Sequence, residues 1–105
     1  MMSQKPVCLG DIFTSGIVVM LFYGGTSPPG RIMAKYLRKL DGIKFLEMDI
    51  SEDASTENKN YAYQNNVKFF PTTWIFLNGE LQHTIMGLIE EEELSIIMGK
   101  IRSIG

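Results

Sequence analysis

Sulfur chemistry is almost absent from this chain, which has a single cysteine, Cys8, in 105 residues. One thiol cannot close an intramolecular disulfide, and it cannot assemble a thiolate metal site without help from another chain. No cofactor is expected, and a reduced, cytoplasmic setting is the default. Histidine is equally scarce: His83 is the only one, with no acidic motif near it in sequence to orient it as a base. The apolar run from Ile17 to Tyr23 falls far short of the roughly 20 residues a membrane span needs. Asp11 ahead of that run, with Lys5 as the upstream positive charge, also argues against a secretion signal. A basic cluster is missing too, and a net charge of −2 offers nothing electrostatic to nucleic acid or an anionic membrane. Asp49, Glu52 and Asp53 with Ser51 lack the central glycine and terminal glutamate of a calcium loop, so they read as a solvated turn.

What is present suits one folded domain spanning 1–105. A hydrophobic content of 45% and a charged content of 21% match an ordinary globular chain that can bury a core without staples. The seven methionines are expected to fill irregular gaps in that core.

Ile17 to Tyr23 is apolar without alternation, the pattern of a strand covered on both faces by helices. Gly24-Gly25-Thr26 breaks it; Ser27 suits an N-cap and Pro28 the first helical position. In the helix predicted there, Ile32, Met33, Tyr36, Leu37 and Leu40 share one face, and Arg31, Lys35, Arg38 and Lys39 lie elsewhere. Asp41-Gly42 ends it, and Ile43 to Ile50 reads as a second strand, parallel to the first because a helix joins them. Asp53 to Asn65 predicts a polar helix with Tyr61, Ala62 and Asn65 inward. Thr72 to Leu77 and Glu80 to Met86 flank Asn78-Gly79, a pair that accepts the positive φ of a type I′ hairpin turn. A last helix opens on Glu90-Glu91-Glu92-Glu93 and places Leu94, Ile97, Met98, Ile101 and Ile104 at helical spacing, with Lys100 and Arg102 near its end, as the helix dipole favours. Upstream, Pro6 to Leu9 reads as a short strand and Asp11 to Ser15 as a helical turn. The predicted architecture is α/β, a mixed sheet of four to five strands flanked by helices.

Three stretches carry a resemblance to the thioredoxin family, which runs from about Ile17 to Ile104. Phe22-Tyr23 followed by Ser27-Pro28-Pro29-Gly30 is similar to the family's strand and active-site loop, with Pro29 where its Cys-Gly-Pro-Cys has proline. Val67-Lys68-Phe69-Phe70-Pro71-Thr72, then Phe76-Leu77-Asn78-Gly79-Glu80, resembles the family's cis-proline strand and hairpin. Gly87 falls where the family keeps a glycine beside its binding groove. The resemblance implies the thioredoxin fold and a cis bond before Pro71.

It also exposes what has been replaced. Ser27 stands where the family's attacking cysteine would be, and Gly30 where its resolving cysteine would be. Leu21 aligns with the buried carboxylate that shuttles protons, and Glu47 with the lysine paired to it. Disulfide exchange proceeds by thiolate attack and resolution by a second thiol, and a serine hydroxyl stays protonated near neutrality unless an adjacent base activates it. This loop is therefore expected to lack disulfide oxidoreductase activity. What survives, by resemblance, is a groove formed by Thr26, Ser27, Pro28, Phe70, Pro71 and Gly87, in which the backbone before the proline pairs with an extended peptide. The expected function is non-catalytic binding of a partner protein or peptide, as in redox-inactive family members acting as scaffolds, assembly factors or chaperone-like binders. A structural subunit held through a methionine-rich apolar surface is a further reading. The alternative is a thiol- or glutathione-dependent enzyme using Cys8 or Ser27, against which no basic pair is evident to grip glutathione's carboxylates. Cys8 itself reads as a buried inert thiol, Ser27 as an N-cap, and Trp74 and the phenylalanines as core.

Overall fold

In the computed structural model, residues 15–24, 27–50 and 56–104 are described. They form β1 (Ile17–Tyr23), α1 (Pro28–Arg38), β2 (Ile43–Asp49), α2 (Thr56–Gln64), β3 (Thr72–Leu77), β4 (Glu80–Met86) and α3 (Glu91–Ile104). The expected strand at Pro6 to Leu9, residues 11–14 of the expected turn at Asp11 to Ser15, and Cys8 lie outside the described residues, as do Ser51, Glu52 and Asp53.

The strands make one mixed sheet in the order β2-β1-β3-β4. β1 runs parallel to β2, from Ile17↔Ile43 to Tyr23↔Asp49, and antiparallel to β3, from Ile17↔Leu77 to Phe22↔Thr72. Ile50 lies just past β2, and its N–H still reaches the Tyr23 carbonyl at 2.9 Å. β3 and β4 pair around Asn78-Gly79, both at positive φ (50° and 89°). Asn78 also fastens the turn to the start of β1: its Oδ1 accepts from the Gly16 N–H at 2.8 Å, and its own N–H donates to the Gly16 carbonyl at 2.9 Å. The β3–β4 register shifts between Ile75 and Phe76, which face His83 and Leu81, leaving Gln82 as the extra residue of a bulge.

The unbroken apolarity of β1 follows from its place as an inner strand, with Val18 through Phe22 all at 0% exposure. One face, through Val19 and Leu21, packs under Met33, Ala34 and Leu37 of α1 and Leu94, Met98 and Ile101 of α3. The other, through Val18, Met20 and Phe22, packs under Tyr61 and Ala62 of α2 with Val67 and Phe76. There Phe22 meets Trp74 edge-on, with ring centroids 4.9 Å apart and planes at 72°. Each large side chain so buried contributes about 1.5–3 kcal/mol, so the two faces of β1 organise both helical layers. Asn65 also turns inward, its Nδ2 donating to the Tyr61 carbonyl at 2.8 Å.

Several expected core residues lie elsewhere. Ile32 is 37% exposed and Ile104 61%. The buried face of α1 is Gly30, Met33, Ala34 and Leu37: the two small residues draw one side of the helix onto β1, and Ile32 is left on the flank. Phe69 and Phe70 are exposed as well, as is Met86: the first two precede β3, and Met86 ends the edge strand β4. None of the described helices is long and apolar enough to cross a membrane.

Candidate functional site

The residues singled out by resemblance gather at one end of the sheet. α1 begins just after the C-terminal end of β1, and the antiparallel pairing of Phe22 with Thr72 brings the start of β3 to the same end. The Phe70–Pro71 peptide bond is cis, and Pro71 is buried. The Gly87 N–H donates to the Pro71 carbonyl at 2.7 Å, so Phe70, Pro71 and Gly87 form one wall. Gly87 sits at φ 87°, with nothing within 4 Å of where a Cβ would stand; the left-handed backbone calls for glycine there. The Thr72 hydroxyl donates to the Phe69 carbonyl and secures the turn entering β3. Thr26 lies outside the described residues.

Ser27 occupies the N-cap position, extended at φ −82° and ψ 123°, but its side chain makes no capping hydrogen bond. The expectation that its hydroxyl caps the helix is thus corrected, and the reason is local. A capping oxygen accepts from the N–H of the second or third helical residue; Pro29, in the second position, has none to give, which leaves only that of Gly30, and the Ser27 side chain does not take it. The backbone does the work instead: the Ser27 N–H donates to the Gly24 carbonyl at 2.9 Å, and its carbonyl accepts from the Arg31 N–H at 3.1 Å. Pro28 and Pro29 are exposed beside it.

Gly30, in the resolving position, is buried against β1. A Cβ there would stand 2.6 Å from Cβ of Tyr23, 2.9 Å from Cδ2 and 3.1 Å from Cγ. Tyr23 cannot easily withdraw, because its hydroxyl donates to Glu47 Oε1 at 2.8 Å, and the same carboxylate is gripped by Arg38 through Nε at 2.8 Å and Nη2 at 2.7 Å. This fork-like pairing ties β1, β2 and α1 together. The Arg38 hydrogen bonds, aided by that from Tyr23, hold the Glu47 carboxyl below the usual carboxylate range. Partial burial, followed by the bond to Glu47, pushes the Tyr23 hydroxyl up. Glu47 therefore serves as a bracket, while Leu21, its cross-strand neighbour, is wholly buried. Thr73 pairs with Leu21 from β3, and its Oγ1 is buried with no partner among the described residues.

Around the groove the surface is apolar. Phe70 is 43% exposed, Phe69 64%, Met86 65% and Leu88 42%, and the register Thr72↔Met86 holds them near one another. The sequence reading named Phe70 here but not Phe69, Met86 or Leu88. The usable signal was Phe69-Phe70 immediately before a proline, since adjacent residues cannot both face one core. Among the described residues, the backbone N–H and carbonyl of Phe70 make no hydrogen bond. His83 is exposed in β4 opposite Ile75, several residues down the strand from the groove end. No group of three or more metal-ligating side chains occurs among the described residues.

The expectation that no basic cluster is present is corrected on the flank of α1: Arg31, Lys35 and Arg38 line a cleft with Tyr23 and Ile32.

No protein-family model matches the chain, and no curated protein matches it. Solved structures do. Oxidised thioredoxin O2 from Arabidopsis thaliana superposes with a TM-score of 0.67 at 22% identity, over 82% of this chain and 75% of that one. Oxidised mitochondrial thioredoxin 3 from Saccharomyces cerevisiae gives 0.67 at 22% identity, over 85% and 82%. A mutant thioredoxin from Halobacterium salinarum gives 0.66 at 22% identity, over 81% and 74%. At these identities the likeness establishes the thioredoxin fold and nothing finer.

Two measurements test the local geometry. Glycine-to-alanine changes inside a helix ordinarily stabilise by up to about 1 kcal/mol, and Gly99→Ala in α3, with open space around the added methyl, is expected to do so in chemical denaturation. Gly30→Ala is expected to have the opposite sign, losing about 1–3 kcal/mol to overpacking against Tyr23. For the bracket, a depressed carboxylate pKa contributes stability above the unfolded pKa that is lost as pH falls through the folded one. Glu47→Gln is therefore expected to be less stable than the parent at neutral pH, with the gap narrowing in denaturation curves taken below the ordinary carboxylate range.

Proposed function

We propose that this chain is a non-catalytic binding module whose groove takes an extended segment of a partner protein. The observation that carries the reading is the set of exposed apolar side chains, Phe69, Phe70, Met86 and Leu88, around a stretch of Phe70 backbone with no hydrogen bond among the described residues. Exposed apolar residues elsewhere, Ile32 on α1, Tyr63 on α2, Leu81 by the hairpin turn, and Ile96 and Ile104 on α3, are scattered; those around Pro71 share one edge, as a docking surface requires. An extended peptide laid beside Phe70 would pair main chain to main chain and seat alternate side chains on this rim.

The chemistry of the loop supports the same reading. Ser27 and Gly30 supply neither an attacking nor a resolving thiol, and Leu21 and Glu47 supply neither the buried acid nor its lysine. Cys8 lies outside the described residues and adds no observation in favour of a thiol-dependent enzyme. The partner's identity is not written in these residues; its class, an extended polypeptide with apolar side chains, follows from the rim.

The test is a titration of the isotopically labelled chain with extended, uncharged peptides centred on apolar residues, run beside an insulin-reduction assay with dithiothreitol. Amide shifts are expected at Phe69, Phe70, Gly87 and Leu88. Phe70→Ala with Leu88→Ala is expected to weaken binding about tenfold or more, the usual effect of removing buried anchors, while insulin is reduced at the background rate. Turnover above background, or shifts confined to another surface, would overturn the proposal.

A further inference from the structure

The cleft beside α1 has a volume of about 440 Å³ and is lined by Tyr23, Arg31, Ile32, Lys35 and Arg38; none of the groove residues lines it. Its three basic residues recur four and three positions apart, which stacks them along one side of the helix. No acidic residue occurs in Pro28–Arg38, so the helix cannot neutralise them from within. From the sheet, Glu47 reaches Arg38 and Tyr23 only. Asp49 is near enough to bias Tyr23 but does not line the cleft. Among the described residues, Arg31 and Lys35 make no ion pair or hydrogen bond through their side chains.

Two positive charges are thus left unanswered in one concavity of a chain whose net charge is −2. Arg38 adds a prepared donor. With Nε and Nη2 committed to Glu47, its guanidinium is held in place while further N–H groups remain to donate, since arginine carries five. The wall between the cations is apolar: Ile32, 37% exposed, lines the same cleft as Tyr23. A polyanion such as nucleic acid would want the basic row to continue, yet Lys39, the next cation along, is engaged by Glu91 at 3.0 Å. A short row of cations around an aliphatic residue suits carboxylates interspersed with apolar side chains.

We infer that this cleft docks an acidic segment of the partner protein, with glutamate or aspartate side chains on Arg31 and Lys35 and an aliphatic neighbour on Ile32. The inference rests on the proposed binding role but is carried by different residues, so the two can fail separately. It gives the module a charge-selecting contact in addition to the apolar groove, and so a basis for choosing among partners.

The experiment titrates the labelled chain with a short glutamate-rich peptide carrying one leucine, with its glutamine counterpart, with inorganic phosphate and with glutathione. Shifts are expected at Tyr23, Arg31, Ile32 and Lys35 with the acidic peptide, weakening as salt is added. The Arg31→Glu/Lys35→Glu double variant is expected to bind it about tenfold or more weakly, with Arg31→Gln/Lys35→Gln in between; both residues are exposed, and unchanged circular dichroism confirms that the variants fold. Equal binding of the glutamine peptide, or indifference to charge reversal, would overturn the inference. So would phosphate or glutathione occupying the cleft as tightly as the peptide, since the site would then belong to a small anion. If the reversed variant still binds uncharged peptides in a Phe70-dependent way, the groove reading stands whichever way the cleft decides. Loss of Phe70 dependence with acidic binding intact would remove the groove reading alone.

Discussion

The approach of Gly30 to the side chain of Tyr23 sets how α1 lies on the sheet, and the rest of the site is arranged around it. At a distance that leaves no room for a Cβ, the helix brings Met33, Ala34 and Leu37 onto Val19 and Leu21. Tyr23 is in turn fixed by Glu47, which Arg38 holds from the helix side. A clamp of three elements therefore stands where a redox member of this fold would carry its second thiol. The position is occupied by packing, which explains why glycine is needed there independently of any question about sulfur.

That clamp divides the surface into two regions with different chemistry. At the end of the sheet, Pro71 and Gly87 are joined through the backbone, and exposed Phe69, Phe70, Met86 and Leu88 surround them. On the flank of α1, the same rotation of the helix that buries Gly30 and Ala34 turns Ile32 outward between Arg31 and Lys35. The basic cleft thus follows from the orientation of α1, while the apolar rim sits on the residues that enter β3 and leave β4. A partner reading both would be chosen by hydrophobic contact and by charge, two criteria that respond differently to salt.

Much of the fold was legible because its signals are local. Asn78-Gly79 names its own turn, and β3 and β4 have the boundaries their sequence implies. The unbroken apolarity of β1 correctly announced a strand covered on both faces. The inner face of α1 was less legible: helical periodicity could not say whether Ile32 or Ala34 points inward, since that depends on which residues are small enough to approach β1. The Arg38–Glu47–Tyr23 bracket joins residues on three elements, and no local pattern announces such a contact. Sequence also read Ser27 as a capping serine, true of its position but not of its hydroxyl; of the two donors such a cap can use, Pro29 removes one.

In the binding module proposed above, packing at Gly30 opposes thiol exchange in addition to the missing sulfurs. The direct measurement is insulin reduction by a Ser27→Cys/Gly30→Cys variant, with its folding followed by circular dichroism. A destabilised chain with no turnover above the dithiothreitol background is expected, because Tyr23 crowds the second position, Leu21 carries no ionisable group, and Glu47 is engaged by Arg38 and Tyr23. A variant as stable as the parent that reduces insulin well above background would contradict it.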